Sequence, residues 1–187
     1  MSSKFPGANI SAPATIIAVS GFAGSGKNTV SRLVAQALGW RVVEPTFKTL
    51  AQREGITLME FQQRAHSDYD IDKKFDEALQ EQSREGKCVI ATWLGPWMAP
   101  GKPFRVWLEV PEQVRASRIC GREHEGEAQA LEHIQRRDAD NVERYKNVYG
   151  IDITNHSGFD LALDASKKSA QELADEIISA FNANRKV

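Results

Sequence analysis

Gly21-Phe22-Ala23-Gly24-Ser25-Gly26-Lys27-Asn28-Thr29 decides the fold of this 187-residue chain. An apolar run, Thr15-Ile16-Ile17-Ala18-Val19-Ser20, precedes it, and a segment over 27–38 follows with Val30, Leu33, Val34 and Leu38 on one helical face. Glycines at three of the nine positions let the backbone turn several N–H groups toward one anion, in conformations that a Cβ would obstruct. Lys27 adds a mobile positive charge, and the N-terminal end of the following helix adds its dipole. The stretch reads as a phosphate-binding loop, so Gly21, Phe22, Ala23, Gly24, Ser25, Gly26, Lys27, Asn28 and Thr29 are its candidate nucleotide-binding residues. The usual pattern ends in Lys followed by Ser or Thr, whose hydroxyl reaches Mg2+. Here Asn28 takes that place and a hydroxyl arrives one residue later, which makes Thr29 the candidate metal ligand.

Outward from the loop, short apolar runs at 15–20, 41–43, 87–91, 104–110 and 159–163 alternate with helix-length segments. That alternation predicts an α/β fold, with about five parallel strands between two layers of helices. Between the second and third runs lies an all-helical stretch, in which Thr57-Leu58-Met59-Glu60 has the form of a capping box. After the fourth run, Pro111 is placed as the first residue of a basic helix ending near Gly121, followed by a long helix over about 127–148. Ser169-Ala170-Gln171-Glu172 opens a last helix whose apolar face carries Leu173, Ile177, Ile178 and Phe181. One domain over 14–187 is expected, with a helical insertion at 46–84 and a lid with its following helix at 115–148. Residues 1–13 read as a flexible leader.

The formal net charge of −1 removes any global attraction to nucleic acid or an anionic membrane, so an anion site must be a local cluster. No run approaches membrane-spanning length and the leader lacks the apolar core of a signal peptide. Cys88 and Cys120 have no metal-ligand or disulfide spacing, and the four histidines are scattered. A cytoplasmic protein acting on small molecules is expected, with no nucleic-acid polymer or membrane as partner, monomeric or else dimeric.

Local charge clusters do occur. Arg115, Arg118 and Arg122 recur at i, i+3 and i+7, while Arg137 and Arg144 lie seven apart on the next helix. Two arginine faces could close on one anion; interleaved acids such as Asp138 and Glu143 equally suit a solvated helix laced with ion pairs. Asp70, Asp72 and Asp76 share helical spacing, and Trp93 and Trp97 follow the third strand, at the edge where open α/β sheets bind ligands.

These pieces together resemble the nucleoside monophosphate kinases, most closely the archaeal-type cytidylate kinases, from about residue 16 to 178. The matching stretches are the loop 21–29, Phe47-Lys48-Thr49-Leu50-Ala51, Glu60-Phe61, Ile71-Asp72, Leu94 with Trp97, Val114-Arg115-Ala116 through Arg122, Arg137-Asp138, Arg144-Tyr145-Lys146 and Tyr149-Gly150-Ile151-Asp152. The resemblance implies a three-layer kinase fold and ATP with Mg2+ as donor and cofactor. It also implies phosphorylation of a nucleoside monophosphate, CMP or dCMP first. By the same resemblance Lys27 binds the β/γ-phosphates, Arg118 and Arg122 belong to the lid, and Arg137 and Arg144 hold transferring or acceptor phosphates. Lys48, Asp72, Trp93 and Trp97 fall on the acceptor side.

The family pattern has Arg where this chain has Lys48, and a carboxylate and an Arg where it has Ala91 and Trp93. Glu44-Pro45-Thr46 replaces small residues. Two alternatives therefore stand beside the leading expectation: an acceptor pocket reshaped for another small molecule, or a nucleotide-binding protein without catalysis. Lys27→Ala is expected to abolish phosphoryl transfer, and Arg122→Ala to lower kcat more than it raises KM for ATP; steady-state kinetics of the two variants checks this.

Overall fold

The computed structural model describes residues 14–45, 47–57, 60, 70–123 and 126–185. The leader expected over 1–13, Thr46 and part of the helical insertion lie outside these residues. Five strands, β1 (Ile16–Ser20), β2 (Arg41–Val43), β3 (Cys88–Ala91), β4 (Phe104–Glu109) and β5 (Leu161–Asp164), form one sheet in the order β2-β3-β1-β4-β5. All four pairings are parallel, with Ile16 opposite Cys88 and Ile17 opposite Phe104. Each residue of β1 and β3 is buried, as unbroken apolar runs in a parallel sheet covered on both faces should be.

The covering helices are α1 (Lys27–Leu38), α2 (Phe47–Glu54), α3 (Asp70–Ser83), α4 (Gly95–Met98), α5 (Glu112–Glu123), α6 (Glu127–Tyr149) and α7 (Ala170–Asn184). On one face of the sheet, Val30 and Val34 of α1 and Leu173, Ile177 and Phe181 of α7 pack against Ile17, Val19, Val89, Val106 and Leu108. On the other, Leu79 of α3 and Met98 of α4 meet Ile16, Ala18, Cys88 and Ile90. The alternation along each strand sorts side chains between these two layers. A third cluster joins Ala23 of the loop to Ala116, Ile119, Ala130 and Ile134, which seats α5 and α6 beside the phosphate loop.

The expected strands recur with small shifts. β3 starts at Cys88 because Gly86 and Lys87 both have positive φ, 67° and 45°, which closes off extended pairing before them. β5 starts at Leu161, since Phe159 is spent on a turn to the carbonyl of His156 and on edge contacts with Trp97 and Trp107. Pro111 stands one place outside α5, its carbonyl accepting the N–H of Arg115. Both capping boxes form: Thr57 and Glu60 exchange side-chain to backbone bonds, as do Ser169 and Glu172. Cys88 is fully buried and its thiol is pushed up to about 11 by burial, which leaves it inert. Among the described residues no helix is long and apolar enough to cross a membrane.

Ser169→Ala is expected to cost about 1 kcal/mol, read from urea denaturation at neutral pH. The Ser169 hydroxyl and N–H hold the Glu172 carboxyl below the ordinary glutamate range. Its contribution is present above that range and is lost as the pH falls through it, so the difference between wild type and variant should narrow on acidification.

Candidate active site

β1 delivers the chain into the phosphate loop, and α1 leaves it. Gly21, Gly24 and Gly26 carry φ of 155°, 78° and 88°, and the loop closes on itself through Ser25 N–H to the Phe22 carbonyl at 3.1 Å. A Cβ on Gly24 would sit 2.8 Å from the Arg115 carbonyl, so a side chain there would collide with α5. At Gly26 the nearest atom to such a Cβ would be Arg118 Nη1 at 4.0 Å, so the backbone at the start of α1 is open to a ligand. Gly26 supplies no capping side chain and no acid lies in the first turn, which leaves that turn's N–H groups and dipole to an anion.

The loop is held from behind by a buried ion pair. Arg115, 3% exposed, donates to the Val110 and Ala23 carbonyls at 3.0 Å each and to Asp138 Oδ2 at 2.6 Å. The other Asp138 oxygen accepts the Ala23 N–H at 3.3 Å. Both polar ends of one loop residue are thus bound by residues from α5 and α6. Burial pushes the Asp138 carboxyl upward, while the hydrogen bond and charge of Arg115 and the Ala23 N–H pull it back. A guanidinium stays protonated throughout, and two donors converge on this carboxylate, so the ionised pair is the state that the geometry fits. Arg115 therefore parts company with the arginine stripe expected on α5: it turns inward as a strut.

Arg118 lies over the loop. Its Nη1 donates to the Ser25 carbonyl at 3.3 Å and its Nη2 to the Ala165 carbonyl at 2.7 Å, linking the loop to the segment after β5. In front of the loop opens a cleft of about 480 Å³. Lys27 and Asn28 of α1 line one side and Ala91, Thr92 and Trp93 at the end of β3 form the back. Phe75, Asp76 and Leu79 come from α3, and Arg137, Asn141, Arg144, Tyr145 and Tyr149 from α6. The α6 positions repeat at three to four residues and share one face. Tyr149 donates its hydroxyl to buried Asp76, tying α6 to α3 across the cleft. The Lys27 ammonium stands 5.3 Å from the centre of the Trp93 ring, which packs edge-on to Phe22 and tilts toward Tyr145.

Of the residues singled out from sequence, Lys27, Asn28, Trp93, Arg137 and Arg144 come together in this cleft. Arg118 sits beside it on the loop. Trp97, on α4, packs instead against Phe159 with ring centres 5.2 Å apart, and is not among the lining residues. Thr29 is exposed on α1 and likewise does not line the cleft. Lys48, Asp72 and Arg122 fall on α2, α3 and α5, but their side chains lie outside what is described. Sequence reasoning grouped Asp76 with two other acids, quoted Tyr145 and Tyr149 for the family likeness without giving them a role, and passed over Asn141. The signal was available for Asn141, Tyr145 and Tyr149, because 137, 141, 145 and 149 form a strict i, i+4 ladder.

The model of the cytidylate kinase-like family matches residues 16–167. The chain belongs to this family. A cytidylate kinase of Pyrococcus horikoshii is 37% identical over 158 residues, covering 83% of this chain and 82% of that protein. A cytidylate kinase of Pyrococcus furiosus is 38% identical over 156 residues, covering 82% and 81%. Among solved structures, a gluconokinase from Sinorhizobium meliloti superposes with a TM-score of 0.60 at 19% identity over 93% of this chain and 94% of its own, a likeness of fold. Family membership makes the protein a nucleoside monophosphate kinase with ATP as phosphoryl donor.

Asp138→Ala would leave the Arg115 guanidinium buried without its carboxylate and the Ala23 N–H without its acceptor. It is expected to cost roughly 3–5 kcal/mol of stability in chemical denaturation, and to weaken ATP binding by calorimetry although Asp138 does not line the cleft.

Proposed function

We propose that this chain transfers the terminal phosphoryl group of ATP to CMP or dCMP, releasing ADP and the nucleoside diphosphate. The observation that carries this reading is the meeting in one cleft of the loop lysine, Lys27, with Arg137 and Arg144 of α6. The two relatives named cytidylate kinase support the choice of base. An oxygen of the acceptor phosphate attacks the γ-phosphorus, and the new P–O bond forms as the bond to the β,γ-bridging oxygen breaks. The electron pair leaves with ADP. The acceptor is itself the nucleophile, so the protein's task is positioning and charge compensation.

In this reading Lys27 binds the β- and γ-phosphates, and Arg118 with Arg122 closes the lid side. Arg137 and Arg144 neutralise charge that spreads over the transferring group. Lys48, Asp72 and Trp93 belong to the acceptor side, and Trp97 supports it from α4. Trp93 stands where a bidentate cation would grip a phosphate, and an indole offers instead a flat apolar wall. The acceptor must then find its phosphate contacts on α6.

Mg2+ fits the donor set. The ion prefers oxygen and takes few protein ligands, and Asn28, which lines the cleft where the loop becomes α1, offers one. Among the described residues no group of three or more His, Cys, Asp or Glu side chains is assembled for a metal, which suits an ion held largely by phosphates and water. When bound, Mg2+ supplies charge neutralisation on the donor phosphates. We take the working unit to be the single domain over 14–187, a monomer acting on nucleotides in the cytoplasm.

With Mg2+ and ATP present, CMP or dCMP should yield ADP and the matching diphosphate in equal amounts, while UMP, AMP and GMP yield less. ADP without a nucleoside diphosphate from any of the five would exclude the reaction. In that event a thermal-shift screen for another acceptor follows from the position of Trp93.

A further inference from the structure

We propose that Asn28 presents the protein's oxygen to the divalent cation that accompanies the donor phosphates, and that Glu44 and Arg32 are its positioning residues. The inference rests on the nucleotide-kinase reading above and moves the metal contact from Thr29 to its neighbour. Asn28, the second residue of α1, lines the cleft beside Lys27, whereas Thr29 does not. Its Nδ2 donates to Glu44 Oε2 at 2.9 Å. An ionised carboxylate has only acceptors, so the amide must turn its NH2 toward Glu44, and Oδ1 is directed away from it.

Glu44 is itself fixed. Arg32, one turn after Asn28 on α1, donates to Glu44 Oε1 from Nε at 3.1 Å and from Nη2 at 2.7 Å. Residues four apart on one helix thus clamp opposite oxygens of a single carboxylate at the end of β2. The relay runs from guanidinium to carboxylate to amide nitrogen, and it leaves the amide oxygen, neutral and hard, to a ligand on a residue that lines the cleft. That is the ligand chemistry Mg2+ accepts, at the place where the common loop pattern has a hydroxyl. Glu44 would act from behind the ligand, as outer partners of metal ligands do.

The test uses the full-length protein with the β,γ-imido analogue of ATP and Mn2+ as the probe, with electron paramagnetic resonance reporting free Mn2+. Asn28→Ala and Glu44→Ala should each raise the half-saturating Mn2+ concentration by about tenfold or more. In EDTA, Glu44→Ala should bind the analogue as the wild type does, and any loss of analogue affinity in Asn28→Ala should be much smaller than the shift of its Mn2+ midpoint. Asn28→Thr, which restores a hydroxyl, should keep the wild-type Mn2+ dependence and make it insensitive to Glu44, so that adding Glu44→Ala to it changes the midpoint less than about twofold. A purely structural Glu44 would weaken both backgrounds alike, and that result overturns the relay. Wild-type Mn2+ dependence in Asn28→Ala, with the analogue still bound, overturns the inference and leaves the kinase reading standing. Failure of the wild-type protein to bind the analogue at all overturns both.

Discussion

The buried contact between Arg115 and Asp138 is the constraint on which the site rests. Its two members reach the phosphate loop from different helices, and between them they bind the carbonyl and the N–H of Ala23. Withdrawing two charges from water is costly, and the cost is offset by their mutual contact together with the bonds from Arg115 to the Val110 and Ala23 carbonyls and from the Ala23 N–H to Asp138. Its loop neighbour Ser25 is held from α5 by a single bond, Arg118 Nη1 to the Ser25 carbonyl, whereas Ala23 is held at both polar ends. Fixing that one peptide fixes where the neighbouring N–H groups aim.

The same contact also sets α6 in rotation. Asp138 faces the loop and Arg137, the residue before it, lines the cleft. A step of one residue turns a helix by about 100°, so anchoring the first fixes the azimuth of the second. Arg144, Tyr145 and Tyr149 follow along the cleft side, and the Tyr149 hydroxyl closes the frame on Asp76 of α3. The two arginines of the cleft are thereby carried on a helix that is pinned at its middle and at its end. Preorganised charge of this kind needs no rearrangement while the phosphoryl group moves.

Much of this was legible in the chain. The phosphate loop, α1 from Lys27 to Leu38, the five strands and both capping boxes follow from patterns spanning a few residues, and the structure repeats them. What local pattern could not convey is direction. Arg115 and Arg118 sit three residues apart on α5, yet one points into the core and the other lies across the loop. Their fates are decided by Asp138 and Ala165, which are distant in sequence. Trp93 and Trp97 were read together as flanking one short segment, and α4 separates them by a helical turn, sending one to the cleft and the other to Phe159. Asp76 reads as one of three equivalent acids until Tyr149 is seen to meet it.

The order of strands has a bearing on how the molecule comes into being. β1 lies at the centre of the sheet, yet its partners are β3 and β4, both far downstream, and Ala23 must wait for Asp138, 115 positions away. Pairings of such separation close large loops and form late. While the chain is being synthesised, its first-made landmark, the phosphate loop, is therefore among the last to take its working shape. A nascent chain shorter than α6 has the glycines and the lysine but not the grip, so ATP gains a well-formed site only after most of the domain has emerged.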